Sequence, residues 1–226
     1  PVDLEFAHDG TDLYLLQCRP QSAQDEASPV PIPADVPNDR VVFAARRFVS
    51  NGRVPDLTHI VFVDPDAYAT LGDAEALRDV GRAVGRLNKV LPKRRFVLMG
   101  PGRWGSRGDI KLGVPVTYSD ISNTSLLIEI ASRREGSVPE LSFGTHFFQD
   151  LVESSIRYLP LYPGEEGGVL NREFLTGAAN QLETLVPEYA HLARAIRVID
   201  VAAAAGGQLL KVAMNAEDNE ALGYLG

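Results

Sequence analysis

Two short apolar runs, LTHIVFVDP and RRFVLMG, frame the segment between Leu57 and Gly100 and constrain the fold more than any other feature of the chain. Each is rich in apolar and β-branched residues, and each is bounded by turn residues, Asp64-Pro65 in one case and Gly100 in the other, so both read as buried strands. Between them Leu77, Val80, Val84, Leu87 and Leu91 recur at helical spacing, with Asp73 placed to cap the start and Pro92 to enforce the stop. A strand, helix, strand order of this kind belongs to the α/β (or α+β) class, a mixed sheet flanked by helices.

The remainder extends that reading. RVVFAARRFVSNGRVP predicts a strand with a turn at Asn51-Gly52, and GVPVTYSDISNTSLLIEIAS predicts two more strands around Ser119 to Ser125. A helix is expected from Thr145, closed by the Pro-Gly loop at Pro163, and helical spacing returns from Asn171 to Leu185. Between Pro187 and Ala205 the pattern fits a helix, while RVIDVAAA within it fits a strand; both readings stay open. The final GGQLLKVAMNAEDNEALGYLG predicts a short strand and a small terminal helix. Internal repeats and heptads are absent.

Upstream of all this lies QSAQDEASPVPIPADVPNDR, with prolines at 29, 31, 33 and 37. Repeated proline removes backbone donors and favours extended chain, so this stretch is expected to be a linker or a strap over a surface. The predicted division is therefore an N-terminal hairpin unit over 1–22, a connector over 23–40 and an α/β domain over 41–226. A net charge of −8 argues against a non-specific grip on nucleic acid or anionic membrane and for an anionic ligand held by local groups. A single cysteine, Cys18, forms no internal disulfide, and the reducing cytoplasm is the simpler setting. No apolar run approaches the roughly 20 residues of a membrane span.

The opening stretch, VDLEFAHDGTDLYLLQCRP, holds two alternating runs about an Asp-Gly turn. Alternation puts Asp3 and Glu5 on one face of the first run, and Gln17 and Arg19 on one face of the second. A two-residue turn at Asp9-Gly10 would set Glu5 opposite Tyr14 and split these groups; a three-residue turn, His8 to Gly10, would set Glu5 opposite Leu13 and unite them. The pattern Asp3-Leu4-Glu5-Phe6, then Leu13-Tyr14-Leu15-Leu16-Gln17-Cys18-Arg19-Pro20, resembles the C-terminal end of the ATP-grasp nucleotide-binding domain of the pyruvate phosphate dikinase and phosphoenolpyruvate synthase family. The resemblance implies that Glu5 and Gln17 stand at the metal and triphosphate, with Asp3 beside them as a further metal ligand and Arg19 close to the phosphates, acting on the transferred group. It implies ATP and Mg²⁺ as cofactors, consistent with the oxygen ligands Mg²⁺ takes and with the charge a guanidinium neutralises in phosphoryl transfer. It covers about 20 residues, and the rest of an ATP-grasp domain, with the family's phosphohistidine motif, is not in this sequence. The chain is thus expected to be the C-terminal part of a longer phosphotransferase, inactive without its upstream portion.

MGPGRWGSRGD is the second informative stretch. Its glycines at 100, 102, 105 and 108 would let the backbone approach a ligand, and Arg103 and Arg107 offer forks for phosphate or carboxylate; a tight connection with Trp104 packed inside is the other reading. Neither the Walker nor the dinucleotide spacing is present. This block, with GTHFFQDL downstream, also looks like a segment that follows the ATP-grasp part in certain bacterial phosphoenolpyruvate synthase-like proteins. His146, after a Thr145 cap, sits at an expected helix start where an anion is favoured; phosphoryl acceptance, anion binding and simple packing are all open to it. His8, His59 and His191 lack the spacing of a metal triad. Two functions follow as expectations: a part of an ATP- and Mg²⁺-dependent phosphotransferase acting on a small anionic substrate, or a non-catalytic anion-sensing or docking module attached to such a kinase.

Overall fold

The computed structural model describes residues 2–20, 28–105, 111–131, 141–143 and 145–226, with the backbone alone for 2, 3 and 17–20. Strands β1 (Val2–His8) and β2 (Leu13–Pro20) pair antiparallel as a separate hairpin. Then follow β3 (Val41–Ala45), β4 (Gly52–Arg53), β5 (His59–Val63), α1 (Pro65–Ala69), α2 (Ala74–Val90), β6 (Phe96–Pro101) and β7 (Leu126–Ile130). The chain continues through α3 (His146–Glu153), β8 (Arg157–Leu161), β9 (Val169–Leu170), α4 (Arg172–Gly177), α5 (Leu182–Leu185), β10 (Ile196–Asp200), α6 (Val201–Ala204), β11 (Leu210–Asn215) and β12 (Glu220–Leu225).

The expected mixed sheet is present, in the order β10-β5-β6-β7-β8. Strands β5 to β8 run parallel, and β10 closes the edge antiparallel to β5. A second five-stranded sheet, β4-β11-β12-β3-β9, is antiparallel throughout. Alternation along the strands explains the layering: Val61, Val63, Phe96, Leu98 and Leu127 pack toward α2, while Ile60, Phe62, Val97, Met99 and Leu126 pack toward Val42, Phe43, Val212 and Met214 of the second sheet. Helices, mixed sheet and antiparallel sheet make three layers around two apolar cores.

Helix α2 buries Leu77, Val80, Val84 and Leu87, and its start is capped as its sequence predicts, the Asp73 carboxylate accepting from Ala76 N at 2.7 Å. Removing that cap in Asp73→Ala is expected to cost about 1 kcal/mol in urea unfolding. Gly81 and Gly85 let α2 lie close to the segment before β7; a Cβ on Gly81 would stand 2.3 Å from the Pro115 carbonyl oxygen.

Several local expectations are corrected. Asn51-Gly52 is not a hairpin turn: Gly52 opens β4, which pairs with β11, while β3 pairs with β12 and β9. Only one of the two strands expected in GVPVTYSDISNTSLLIEIAS forms, β7; residues 118–120 are a 3-10 turn in which Thr117 and Asp120 cap each other. The helical run from Asn171 splits into α4 and α5, because Asn180 turns inward and uses its amide on Ala193 O, Ile196 O, Leu182 N and Val198 N. RVID is a strand, followed by the single turn α6. The expected terminal helix is β12: the Asn215 side chain accepts from the amides of Glu217 and Asp218, turning β11 back into a partner strand of six residues. Of the proline-rich stretch, residues 28–37 run without helix or strand, and Val30 N donates to Met214 O at 3.3 Å, so this part touches the second sheet at β11. No helix among the described residues is long and apolar enough to cross a membrane.

Candidate functional site

Neither hairpin register drawn from the sequence is the one formed. Four residues, 9–12, separate the His8↔Leu13 pair, and a bulge between Glu5 and Phe6 then brings Glu5 opposite Gln17 and Asp3 opposite Arg19. The turn is lengthened by Asp9, whose carboxylate accepts from Thr11 N at 2.9 Å and Asp12 N at 2.8 Å, with Tyr14 Oη donating at 2.8 Å. These donors, the Asp12 amide foremost, hold the Asp9 carboxyl at about 2. The four polar residues singled out in the sequence are thus cross-strand partners at the backbone level. On the other side Leu4, Phe6, Leu13 and Leu15 are exposed, Phe6 and Leu15 being cross-strand partners at 65% and 62% accessibility.

The hairpin meets the rest of the protein at the start of α3. Thr145 caps that helix, its hydroxyl accepting from Phe148 N, and His146 Nε2 stands 2.8 Å from Glu5 Oε1. Two residues marked independently in the sequence, Glu5 and His146, are therefore in contact.

The glycine-rich connection after β6 lies at the C-terminal edge of the parallel strands. Its described backbone donors are already used: Gly102 N to Ile130 O, Arg103 N to Leu112 O, Trp104 N to Glu129 Oε1 and Gly105 N to Val114 O. The glycines serve close packing. A Cβ on Gly100 would meet Trp104 at 2.7 Å, and one on Gly105 would meet Phe147 at 2.6 Å. Trp104 is fully buried, and its Nε1 has no hydrogen-bond partner among the described residues. Arg103 is half-buried; Arg107 lies outside the described residues.

The group that organises this edge is Glu129, which the sequence reading missed. It is wholly buried on β7 and accepts four hydrogen bonds: Trp104 N (2.8 Å) and Ser142 Oγ (2.5 Å) on Oε1, Ser142 N (2.6 Å) and Tyr158 Oη (2.8 Å) on Oε2. Burial pushes its carboxyl up to about 7, partly offset by the Ser142, Trp104 and Tyr158 donors, and burial together with Glu129 raises the Tyr158 phenol. One carboxylate so ties the connection after β6 to the segment leading into α3. An acid inside the apolar run LLIEI was the available signal, since a charge on a strand buried on both faces must be met by fixed donors.

No group of three or more His, Cys, Asp or Glu is placed to hold a metal among the described residues. Glu5 is the one member of the implied metal set whose side chain is described, and it is partly open to solvent. Comparisons with protein families, with curated proteins and with solved structures find no match.

Proposed function

We propose that the chain is the C-terminal part of an ATP- and Mg²⁺-dependent phosphotransferase resembling phosphoenolpyruvate synthase and pyruvate phosphate dikinase, with β1 and β2 completing a nucleotide site supplied mainly by upstream sequence. The observation that carries this reading is the hairpin itself, whose register pairs Glu5 with Gln17 and Asp3 with Arg19 while Leu4, Phe6, Leu13 and Leu15 stay bare. A two-stranded hairpin with an uncovered apolar side is marginal alone and calls for a sheet or helix to cover it. The residue types in these pairs are those a nucleotide site needs, carboxylates and an amide for the metal and a guanidinium for the phosphates.

In this reading Glu5, with Asp3 and Gln17 next to it, holds Mg²⁺, and the ion when bound neutralises charge on the phosphate oxygens. Arg19 stabilises the phosphoryl group in transfer. His146 positions the Glu5 carboxylate through their 2.8 Å contact, fixing the hairpin to the domain that follows. The test is MgATP-dependent phosphotransfer by the full-length protein. Glu5→Gln and Arg19→Ala should each lower turnover about 100-fold, the scale of one lost charge-stabilising group. Full activity in both variants sinks the proposal.

A second reading has its own observation. The described backbone donors of the glycine-rich connection are spent inside the protein, which favours a domain that docks or senses over one that carries catalytic groups there. Arg103→Ala with Arg107→Ala would then leave turnover unchanged and alter assembly or regulation, whereas abolished transfer would place both arginines at the substrate.

A further inference from the structure

We propose that the cleft between the C-terminal end of β5 and the start of β10 is a binding site for a small oxyanion, a phosphate or a carboxylate, held by Arg194 and Arg172. The cleft encloses about 710 Å³ and is lined by Asp64, Asp66, Thr70, Arg172, His191 and Arg194, among others. That volume is in the range of small-molecule sites, and the ends of parallel strands in open α/β sheets are where such ligands lie. It is separate from the hairpin and from the glycine-rich connection, and the proposal is independent of the nucleotide reading.

An inventory of donors and acceptors decides the ligand class. The acceptors facing the cleft are largely committed. Asp64 is buried, its Oδ1 accepting from Asp66 N at 2.8 Å and Ala67 N at 3.1 Å while its Oδ2 accepts from Arg172 at 2.9 Å. Asp66 Oδ2 also lies 2.9 Å from the same Nη2 of Arg172, and its side chain is otherwise 79% exposed to water. The Thr70 hydroxyl donates to Ala67 O at 2.7 Å.

The donors are not committed. Both carboxylates engage Nη2 of Arg172, and among the described residues its Nη1 and Nε are unpaired and the Arg194 side chain has neither a hydrogen bond nor an ion pair. His191 stands 3.8 Å from Asp79 Oδ2, a loose contact that leaves its ring able to turn toward the cleft. A site with two guanidinium forks available and its buried carboxylate already saturated takes a ligand made of acceptor oxygens; a cation would have to displace Arg172. The two acids also act as a brace, since an arginine fixed by two carboxylates loses little side-chain freedom on gripping a ligand. Arg194, exposed and unbraced, supplies the second, closing fork.

The experiment is a titration of the whole chain with inorganic phosphate and, separately, with succinate, at constant ionic strength set by chloride, following the backbone amide resonances of Thr70 and Ala195 by NMR. Saturable shifts with a Kd on the order of 1 mM are expected for at least one ligand. Arg194→Ala should weaken binding about 10-fold or more, the loss of one charge-assisted pair, and it threatens no structural contact. Arg103→Ala should leave binding intact. Response to phosphate alone identifies a phosphoryl ligand, and response to succinate alone a carboxylate; either result supports the site. Absence of saturation with both ligands up to about 10 mM, or binding that survives Arg194→Ala, overturns the proposal. Binding lost in Arg103→Ala and kept in Arg194→Ala also overturns it, by moving the anion to the glycine-rich connection.

Discussion

Replacing Glu129 with alanine should lower the free energy of unfolding by about 4 kcal/mol, a large fraction of the roughly 5–15 kcal/mol that holds a folded domain together. Four hydrogen bonds converge on this buried carboxylate, and Ser142 Oγ has a second acceptor in Trp104 O at 2.9 Å, so truncation strands three donors: Trp104 N, Ser142 N and Tyr158 Oη. Each buried donor left unpaired costs about 1–3 kcal/mol, and the emptied volume adds to the sum. Glu129→Gln keeps the volume and one acceptor oxygen but turns an NH₂ against a donor, so about 2 kcal/mol is expected. The same residue sets a pH dependence. Burial raises its carboxyl from the ordinary 4.5 to about 7, so between these values the folded protein binds a proton that the unfolded chain releases. The associated stability, about 3 kcal/mol at most, is fully present below 4.5 and is lost as pH rises through about 7. Urea midpoints measured from pH 5 to pH 8 should fall for the wild type relative to Glu129→Gln, whose own curve keeps the opposite, rising contribution of His59, an imidazole that burial holds below its usual pKa. A wild-type curve that rises over that range would mean that the four donors outweigh burial and keep the carboxylate ionised well below neutrality.

What could be read from the sequence is what local chemistry decides. Helix α2 was legible because a cap at Asp73, an apolar stripe and Pro92 agree, and β5 and β6 because their apolar runs are short and bounded. Three of the corrected elements end where a polar side chain takes over backbone groups. Asn180 interrupts a helical spacing by bonding to backbone remote in sequence, at residues 193, 196 and 198. Asn215 and Asp9 act locally, on amides two and three positions on, Asn215 forming a turn where helix-favouring letters follow and Asp9 lengthening the first hairpin loop by two residues over a simple Asp-Gly turn. The hairpin shows how far pattern goes. Alternation identified Asp3, Glu5, Gln17 and Arg19 as groups to be united, but the bulge that pairs them depends on no periodicity. Glu129 was passed over because an acid in an apolar strand has no local partner, its four donors arriving from residues 104, 142 and 158. The cleft of Arg172 and Arg194 is further out of reach, since a sequence shows neither that two acids brace one arginine nor that another is left alone.

Gly102→Ala should destabilise the protein by about 3 kcal/mol, and Gly10→Ala by about 1 kcal/mol, although both positions have positive φ. Gly102, at φ +60°, would place a Cβ 1.7 Å from the Leu112 carbonyl oxygen and 2.9 Å from its carbon. Those are backbone atoms, so no rotamer change relieves the clash. The strand-like pairing of Gly102 with Gly113 must open, and the Arg103 N to Leu112 O bond at 2.9 Å goes with it. Gly10, at φ +103°, has nothing within 4 Å of its would-be Cβ and pays for the left-handed backbone alone. Gly105 separates the two effects, because the atom in its way is the Phe147 ring, a side chain able to yield. Trp104 is the sole tryptophan and lies between these glycines, so its fluorescence reports the event directly. Opening of the ribbon in Gly102→Ala should shift emission toward the red under native conditions, with a lowered urea midpoint, while Gly10→Ala leaves the emission unchanged. Wild-type emission together with a wild-type midpoint in Gly102→Ala would show that residues 102–105 and 112–114 are not held this close, and the account of the glycine-rich connection as a packed, internally bonded structure would fall with it.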